Sequence, residues 1–98
     1  MFEINGYKVK FYHVRFNKPT LVPEIAGTAH SIQAITSCVM LKDDKEYMGM
    51  AFCSAEDNFS KNIGRKIALS RALKEAGFAR KIKEQFWNEY FKVRGKVG

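Results

Sequence analysis

The sequence predicts an α+β fold, an N-terminal antiparallel sheet of three to four strands followed by two C-terminal helices. Alternating, β-branched and aromatic residues dominate positions 1–54, a polar DDKE turn divides two apolar runs there, and a proline-free stretch rich in Ala, Leu, Lys and Arg follows. With 98 residues, 46% of them apolar, the chain can build one core. We therefore predict a single domain over 1–98, with the sheet in 1–54 and the helices in 55–98.

The first long strand is predicted over 7–16, where aromatic and β-branched residues alternate with polar ones. The alternation slips between Phe11 and Tyr12, which predicts a bulge or bend there. An Asn-Gly pair at positions 5 and 6 favours a tight turn that pairs this strand with residues 2–4.

The segment 17–30 is predicted to be an irregular loop, because NKPTLVPEIAGTAH contains both prolines of the chain and a glycine among small polar residues. Proline removes the backbone donor that the interior of a strand or helix needs. Long loops are uncommon in compact domains unless they serve a function, so loop 17–30 is a candidate lid or partner surface.

A hairpin is predicted next, with strands over 31–42 and 46–54 on either side of the polar turn. The strand over 31–42 is apolar on both alternating faces, which is typical of a strand that is covered on both sides. We expect the helices to cover one face, and a loop or a second subunit to cover the other. A small domain can bury further apolar surface by forming a homo-oligomer.

The first helix is predicted over 57–76, with Ser54 or Asp57 as its N-cap and Gly77 as its C-cap. The second is predicted from about 79 to 93. Its apolar side chains recur at spacings of three and four, which indicates a core or oligomer contact. These residues are Ile82, Phe86, Trp87, Tyr90 and Phe91.

The charge of the chain favours an anionic partner. Lys and Arg number 17 against 10 Asp and Glu, which gives a net charge of +7 and a pI near 9.6. Nucleic acid, a nucleotide signal or an acidic protein surface would be attracted, although basic charge also serves solubility alone. Neither a signal peptide nor an apolar membrane span is recognisable, so we expect a cytoplasmic location.

The sequence offers little for catalysis. His13 and His30 belong to no recognised catalytic motif, and Cys38 and Cys53 lack the spacing of metal ligands, so both thiols are expected to be reduced. We expect no enzyme activity, no metal and no cofactor. Cys53 lies near a helix start, and two interpretations are possible. It could be a thiol of lowered pKa, or it could be a buried residue at the end of a strand.

The stretch from Cys53 to Ala72, CSAEDNFSKNIGRKIALSRA, is the best candidate for a binding site. A strand that leads into a helix start leaves backbone N–H groups free to attract phosphate or carboxylate. Arg65 shares a strip of the helix surface, about 80° wide, with alanines at 68, 72 and 76, whereas Gly64 and Arg71 lie on another face. Such an arginine can form a bidentate contact with phosphate.

A purely structural interpretation competes with this one, since alanine strips often pack helices onto sheets and the arginines could pair with carboxylates such as Glu75. Against that interpretation, Glu75 is the only acid of the helix after its first turn, and the cations repel one another unless an anion is near. These cations are Lys61, Arg65, Lys66, Arg71 and Lys74. The aromatic residues of the second helix could also stack bases, with Trp87 or Tyr90 as the candidate for an exposed contact.

The pattern C-S-x-x-D-x-F-x-x-x-x-G-R-x-x-A-x-x-R-A, found here over 53–72, resembles a signature of small bacteriophage proteins, among them the Thoeris anti-defence sponges. The resemblance covers about a fifth of the chain. It implies a phage protein of the host cytoplasm that forms homo-oligomers and sequesters a cyclic nucleotide immune signal, a cyclic ADP-ribose isomer or a cyclic oligonucleotide, without degrading it. The positions it implies for ligand binding are Phe52, Phe59, Asn62, Arg65 and Arg71.

Two other functions remain open. The basic helix could bind nucleic acid or a nucleic-acid enzyme, as a phage host-takeover or anti-restriction protein would. Binding of nucleic acid would weaken steeply with salt through counterion release. Alternatively, the long loop could dock on an acidic host protein.

Overall fold

The computed structural model describes the backbone of residues 2–25, 28–54 and 60–97, and the side chains of 2–16, 32–54 and 60–94. Within these ranges, four strands form one antiparallel sheet in the order β1-β2-β3-β4, and two helices follow. The elements are β1 (Phe2–Ile4), β2 (Tyr7–Ile25), β3 (Thr28–Lys42), β4 (Lys45–Ser54), α1 (Lys61–Ala76) and α2 (Arg80–Val97). The predicted α+β fold and its order of elements are confirmed.

The turn between β1 and β2 forms where the Asn-Gly pair predicts it. Asn5 has φ 52° and Gly6 has φ 83°, the left-handed values that two-residue hairpin turns require and that Asn and Gly tolerate best. The turn fixes the register of β1 on β2, in which Phe2 lies opposite Val9 and Ile4 opposite Tyr7.

The predicted bulge between Phe11 and Tyr12 is wrong. β2 pairs with β3 in unbroken register from Lys8 to Arg15. Tyr12 is 51% exposed, whereas Phe11 packs against the core. The alternation of apolar and polar residues in the sequence is therefore interrupted by an aromatic side chain, Tyr12, on the exposed face. The backbone of β2 is regular at this point.

The prediction of a loop over 17–30 is also wrong. β2 continues to Ile25 and β3 begins at Thr28, and the two strands remain paired along this segment; residues 26–27 lie outside the described ranges. Two register shifts interrupt the pairing, and each contains one of the prolines, Pro19 and Pro23. Irregularities of this kind are where a sheet tolerates proline, because the missing N–H is not needed there.

The hairpin of β3 and β4 confirms the prediction around the DDKE turn. Pairing runs from Ile32 opposite Ser54 to Lys42 opposite Lys45, and Asp43 takes a left-handed φ of 52° in the turn. Burial alternates along β3 from Ile32 to Met40, as expected for a strand with one face against the core.

α1 begins later than predicted. Ser60 is its N-cap, with its Oγ accepting a hydrogen bond from the Ile63 N–H at 3.3 Å. Ser54 belongs to β4, and Asp57 lies outside the described residues. Gly77 ends the helix as predicted, with φ 70° and its N–H bonded to the Lys74 carbonyl. α2 runs from Arg80 to Val97, four residues past the predicted end.

The core lies between one face of the sheet and the two helices. Ala68 and Ala72 are fully buried, and a Cβ at Gly49 of β4 would collide with the α1 backbone at both of them. The alanine strip therefore packs α1 directly onto the sheet. Aromatic side chains fill the space beneath α2, with the Tyr7 and Phe86 ring centroids 5.9 Å apart.

The opposite face of the sheet carries apolar side chains that the described helices do not cover. Tyr12, Val14 and Met48 are about half exposed there. The helices therefore cover one face of β3, as predicted. For the other face, a loop or a second subunit was predicted, and no described element lies over it.

Candidate functional site

A cleft of about 570 Å³ opens between β2, α1 and α2. We call it the basic cleft, because four of the nine described residues that line it are basic and four of the remainder are aromatic. The lining residues are Phe2, Lys10, Phe11, Tyr12, His13, Arg65, Tyr90, Val93 and Arg94. None of these nine is acidic, so the described walls offer no counter-charge to their own cations.

The position of β1 creates the cleft. β1 is three residues long and pairs with β2 only over Tyr7–Val9, so it ends before the stretch of β2 that lines the cleft. Lys10 to His13 are four consecutive lining residues. Because side chains of a strand alternate between its faces, a wall made of four consecutive residues contains the edge of the strand itself.

α1 brings Arg65 to the cleft through a close approach at the preceding residue. A Cβ at Gly64 would lie 2.5 Å from the Thr36 Oγ1, so glycine lets the helix start come down onto β3. Thr36 is itself only 1% exposed. Gly64 is therefore needed for the packing of α1 on β3.

His13 connects β3 to Arg65. Its Nδ1 lies 2.9 Å from Thr36 Oγ1 and its Nε2 lies 3.5 Å from Arg65 Nη1. A guanidinium only donates hydrogen bonds, so Nε2 must accept and the proton of the neutral ring resides on Nδ1, which donates to Thr36. The contact assigns the tautomer.

The pKa of His13 is lowered from its ordinary value of 6.5, first by burial and then by the positive charges of Arg65 and Lys61. Each cause disfavours the imidazolium. A bound anion would act in the opposite direction, because it would offset the charge of the two α1 cations.

Two buried donors at the cleft have no hydrogen-bond partner among the described residues: the Nε of Arg65 and the hydroxyl of Tyr90. Tyr90 is 1% exposed. An unsatisfied buried polar group costs about 1–3 kcal/mol, so proteins rarely keep one without a use. Four basic residues, two unsatisfied donors and aromatic walls make the basic cleft suited to an anion that carries an aromatic ring.

The residues implied by the family resemblance do not converge. Arg65 borders the basic cleft, whereas Arg71 lies about 120° around the helix and donates from Nη1 to the Met50 carbonyl at 2.6 Å. Asn62 is exposed and lines neither cavity. Phe59 lies outside the described residues.

Phe52 borders a second, smaller cavity of about 240 Å³ at the start of α1. Its lining is mostly apolar and includes Ile63 and Ile67. Ser60, Ile63 and Gly64 at the start of α1 and the neighbouring Arg65 therefore line different cavities. This separates two features that the sequence analysis expected to act on one anion.

Among the described residues, neither Arg65 nor Arg71 forms an ion pair with a carboxylate such as Glu75, so the competing structural interpretation is not found there. Arg80 and Glu84 do pair, at 3.4 Å, on the exposed surface of α2.

Sequence reasoning missed most of the basic cleft. Its other basic residues are Lys10 and His13 in β2 and Arg94 in α2. They lie far from Arg65 along the chain, and no motif links them to it. Of the two candidates for an exposed aromatic contact, Tyr90 is buried and Trp87 is half-buried. Phe91 is exposed instead, at 52%, and it stacks on Trp87 with ring centroids 5.9 Å apart.

The remaining chemistry is sparse. Neither cysteine forms a disulfide, and burial raises the pKa of the Cys38 thiol to about 12. Cys53 is half-buried beside the smaller cavity. The described residues contain no group of three or more His, Cys, Asp or Glu side chains placed to hold a metal ion.

Comparisons with protein-family models, with curated proteins and with solved structures found no match. Among the described residues, no helix combines the length and apolar character that crossing a bilayer requires.

Proposed function

We propose that this protein binds an anionic nucleotide in the basic cleft and sequesters it without turnover. The observation that carries the proposal is the charge of the cleft: Lys10, His13, Arg65 and Arg94 line it, and none of its described lining residues is acidic. A phosphate or diphosphate would supply both the counter-charge and the acceptors that the walls lack.

The aromatic walls fit the rest of a nucleotide. Phe11 is half-buried and lines the cleft, and the buried ring of Tyr90 supports it from behind, with ring centroids 5.9 Å apart and planes at 66°. Protein aromatic rings stack on nucleobases and gain about 1–3 kcal/mol per base. A cleft of about 570 Å³ also lies within the range of small-molecule sites.

Sequestration is proposed instead of catalysis because the described lining holds no serine, threonine, cysteine or carboxylate. These are the side chains that most often serve as the nucleophile or the acidic partner in group transfer. His13 is also placed between Thr36 and Arg65, which favours a positioning role for its ring.

The family resemblance suggests the biological role of this binding. It supports a bacteriophage anti-defence protein that acts in the host cytoplasm, assembles as a homo-oligomer and captures a cyclic ADP-ribose isomer or a cyclic oligonucleotide. The uncovered apolar side chains of the sheet, among them Tyr12, Val14 and Met48, are a surface that subunit contact could bury.

Isothermal titration calorimetry with cyclic ADP-ribose isomers and cyclic oligonucleotides tests the proposal. At least one should bind in the micromolar range or tighter. Arg65→Gln should weaken that binding by about 10- to 150-fold, the equivalent of losing hydrogen bonds to a charged group. Arg71→Gln is the matched control, since this arginine lies on the same helix but away from the cleft, and it should change the affinity less than about threefold.

Absence of micromolar binding to every ligand would reject the nucleotide proposal. An equal loss of affinity in the two arginine variants would show that net charge, and not the cleft, attracts the ligand.

Binding of single-stranded nucleic acid is a second candidate, favoured by one observation outside the cleft. Phe91 is 52% exposed and stacks on Trp87, and the Nζ of Lys66 lies 5.8 Å from the Phe91 ring centroid. Exposed aromatic rings beside cations are typical of single-strand binding. In this case the affinity for single-stranded nucleic acid should fall steeply with salt. Phe91→Ala should lower that affinity, whereas the control Arg71→Gln should lower it only slightly.

A further inference from the structure

The face of the sheet that points away from the helices is built from three strands in regular register. Val9, Thr36 and Ala51 are buried on the helix side, and the side chains of a strand alternate between its two faces. The residues between them therefore form the other face, which we call the outer face, in four rows across β2, β3 and β4. The rows are Lys8, Leu41 and Glu46; Lys10, Val39 and Met48; Tyr12, Ser37 and Met50; and Val14, Ile35 and Phe52.

The outer face is mostly apolar and is accessible. Eight of these twelve side chains are aliphatic or aromatic, and Tyr12, Val14 and Met48 are 51%, 52% and 46% exposed. Three strands about 4.8 Å apart, with about seven residues each at about 3.4 Å per residue, give a surface of about 14 by 24 Å, or about 340 Å². Apolar surface of this extent on a small protein marks an interaction site.

The charged residues of the outer face lie at one end of it. Lys8 on β2 and Glu46 on β4 belong to the same row, on either side of Leu41. Both are exposed, and neither forms an ion pair within the described part of the chain. Opposite charges therefore lie at equal distances from the central strand. A half-turn about an axis along β3 exchanges the two sides, so the row is complementary to itself.

A second copy of the chain is the occupant that this charge pattern fits. When two copies pack face to face about a twofold axis along β3, Lys8 of each lies opposite Glu46 of the other. Val14 then lies opposite Phe52, apolar against aromatic. A twofold axis across the strands would instead place Lys8 opposite Val14, and it would bury an unpaired charge against an apolar side chain. The charged row therefore selects the axis along β3.

We propose that two copies of this chain form a symmetric dimer through the outer face, with the twofold axis along β3 and two ion pairs between Lys8 and Glu46 at one end. The two sheets lie about 10 Å apart with their strands within about 30° of each other, and Ile35, Ser37 and Val39 face their own counterparts at the axis. The small area corresponds to a weak specific interface, so we expect a Kd of about 1–100 µM. The dimer is inferred from strand register and does not depend on nucleotide binding.

Sedimentation equilibrium of the nucleotide-free protein, from about 1 µM to about 1 mM, tests this proposal through charge reversal. The native chain should show a monomer–dimer equilibrium. Lys8→Glu should weaken dimerisation at least tenfold, because each ion pair becomes a pair of carboxylates. Glu46→Lys should weaken it as much, by bringing two lysines together. The double variant Lys8→Glu, Glu46→Lys restores opposite charges and should recover the native affinity to within about threefold.

Two further measurements separate this interface from an effect of net charge. Lys81→Glu is the matched control, because it changes the net charge as Lys8→Glu does but at an exposed position of α2. It should leave the dimer affinity within about twofold. In the ¹⁵N-labelled native protein, the amide shifts that grow with protein concentration should be centred on residues 35–41 and 46–52.

A native chain that stays monomeric up to about 1 mM would overturn the proposal and leave the outer face to a different protein. Equal effects of Lys8→Glu and Lys81→Glu would also overturn it, because the Lys8–Glu46 pairing would then not control assembly. Failure of the double variant to recover would exclude the axis along β3. All of these measurements are made without nucleotide, so their failure leaves nucleotide binding to its calorimetric test.

Discussion

Helix α1 packs differently against the two edges of the sheet. At the β4 edge, α1 lies so close that Gly49 has no room for a Cβ, and Arg71 donates to the Met50 carbonyl at 2.6 Å. At the β2 edge, the helices stand away from the strand and leave a cleft of about 570 Å³, into which α1 presents Arg65.

This difference shows how two arginines six residues apart come to have different roles. Arg71 finds a backbone acceptor of its own fold, so its charge is partly used within the protein. Arg65 contacts a ring nitrogen at 3.5 Å and keeps a buried Nε without a described partner. The cleft side of α1 is therefore the side with hydrogen-bonding capacity left for a ligand.

Gly49→Ala should have the largest effect, because it attacks the close contact that seats α1 on β4. The new Cβ would collide with the backbone of α1 near Ala68 and Ala72, and a helix backbone cannot move aside as a flexible side chain can. We expect a loss of about 3 kcal/mol in the free energy of unfolding, measured by urea denaturation.

Gly77→Ala is the control for this variant. A Cβ at Gly77 meets nothing within 4 Å, but its φ of 70° disfavours any residue with a side chain, so it should cost about 1 kcal/mol. If Gly49→Ala cost no more than Gly77→Ala, the helix would not lie as close to β4 as described.

Tyr90→Phe tests the cleft side of the comparison. We expect a smaller change in the free energy of unfolding than for Gly49→Ala, and an increase instead of a loss. The Tyr90 hydroxyl is buried without a described partner, and the ring packs among Phe2, Phe11 and Trp87. Removing the oxygen should leave this packing intact and raise the free energy of unfolding by about 1 kcal/mol. The measurement is urea denaturation of the ligand-free protein.

A loss of stability in Tyr90→Phe would show that the hydroxyl has a partner in the folded protein. Phe86→Leu provides the comparison for ring packing alone. It alters an equally buried aromatic position of α2 without a polar atom and should destabilise by about 1–2 kcal/mol.

The fold was predictable to the extent that local patterns determine it. The Asn-Gly turn, the DDKE hairpin and the Gly77 cap each depend on a few neighbouring residues, and each is found in its predicted place. The segment 17–30 was not predictable in this way. Two prolines favour a loop locally, but pairing with β3 accommodates both at register shifts.

The site was less predictable than the fold. Arg65 could be chosen from the sequence because it lies on one face of a helix with small residues. Lys10 and His13 join it because β1 is three residues long and stops short of them, and Arg94 joins it because the last turn of α2 reaches the cleft. That depends on strand length and helix placement, which no spacing along the chain records.

His13 allows a test of the cleft edge by pH, with the smallest expected effect. Its pKa in the folded protein is lowered by burial, then by Arg65 and Lys61, whereas the unfolded chain keeps a value near 6.5. Between these two values the unfolded chain binds more protons, so the free energy of unfolding should fall as pH decreases through and below about 6.5. Urea denaturation between pH 8 and pH 5 measures this slope.

His13→Gln is the matched variant, because an amide can still donate to Thr36 and accept from Arg65 but does not titrate in this range. The decrease in stability below pH 6.5 should become shallower in this variant, whereas Arg65→Gln should reduce it only in part, since burial is the larger cause. An unchanged slope in His13→Gln would mean that another group is responsible. It would also remove the reason to expect that a bound anion, by raising the pKa of His13, is held more tightly at low pH.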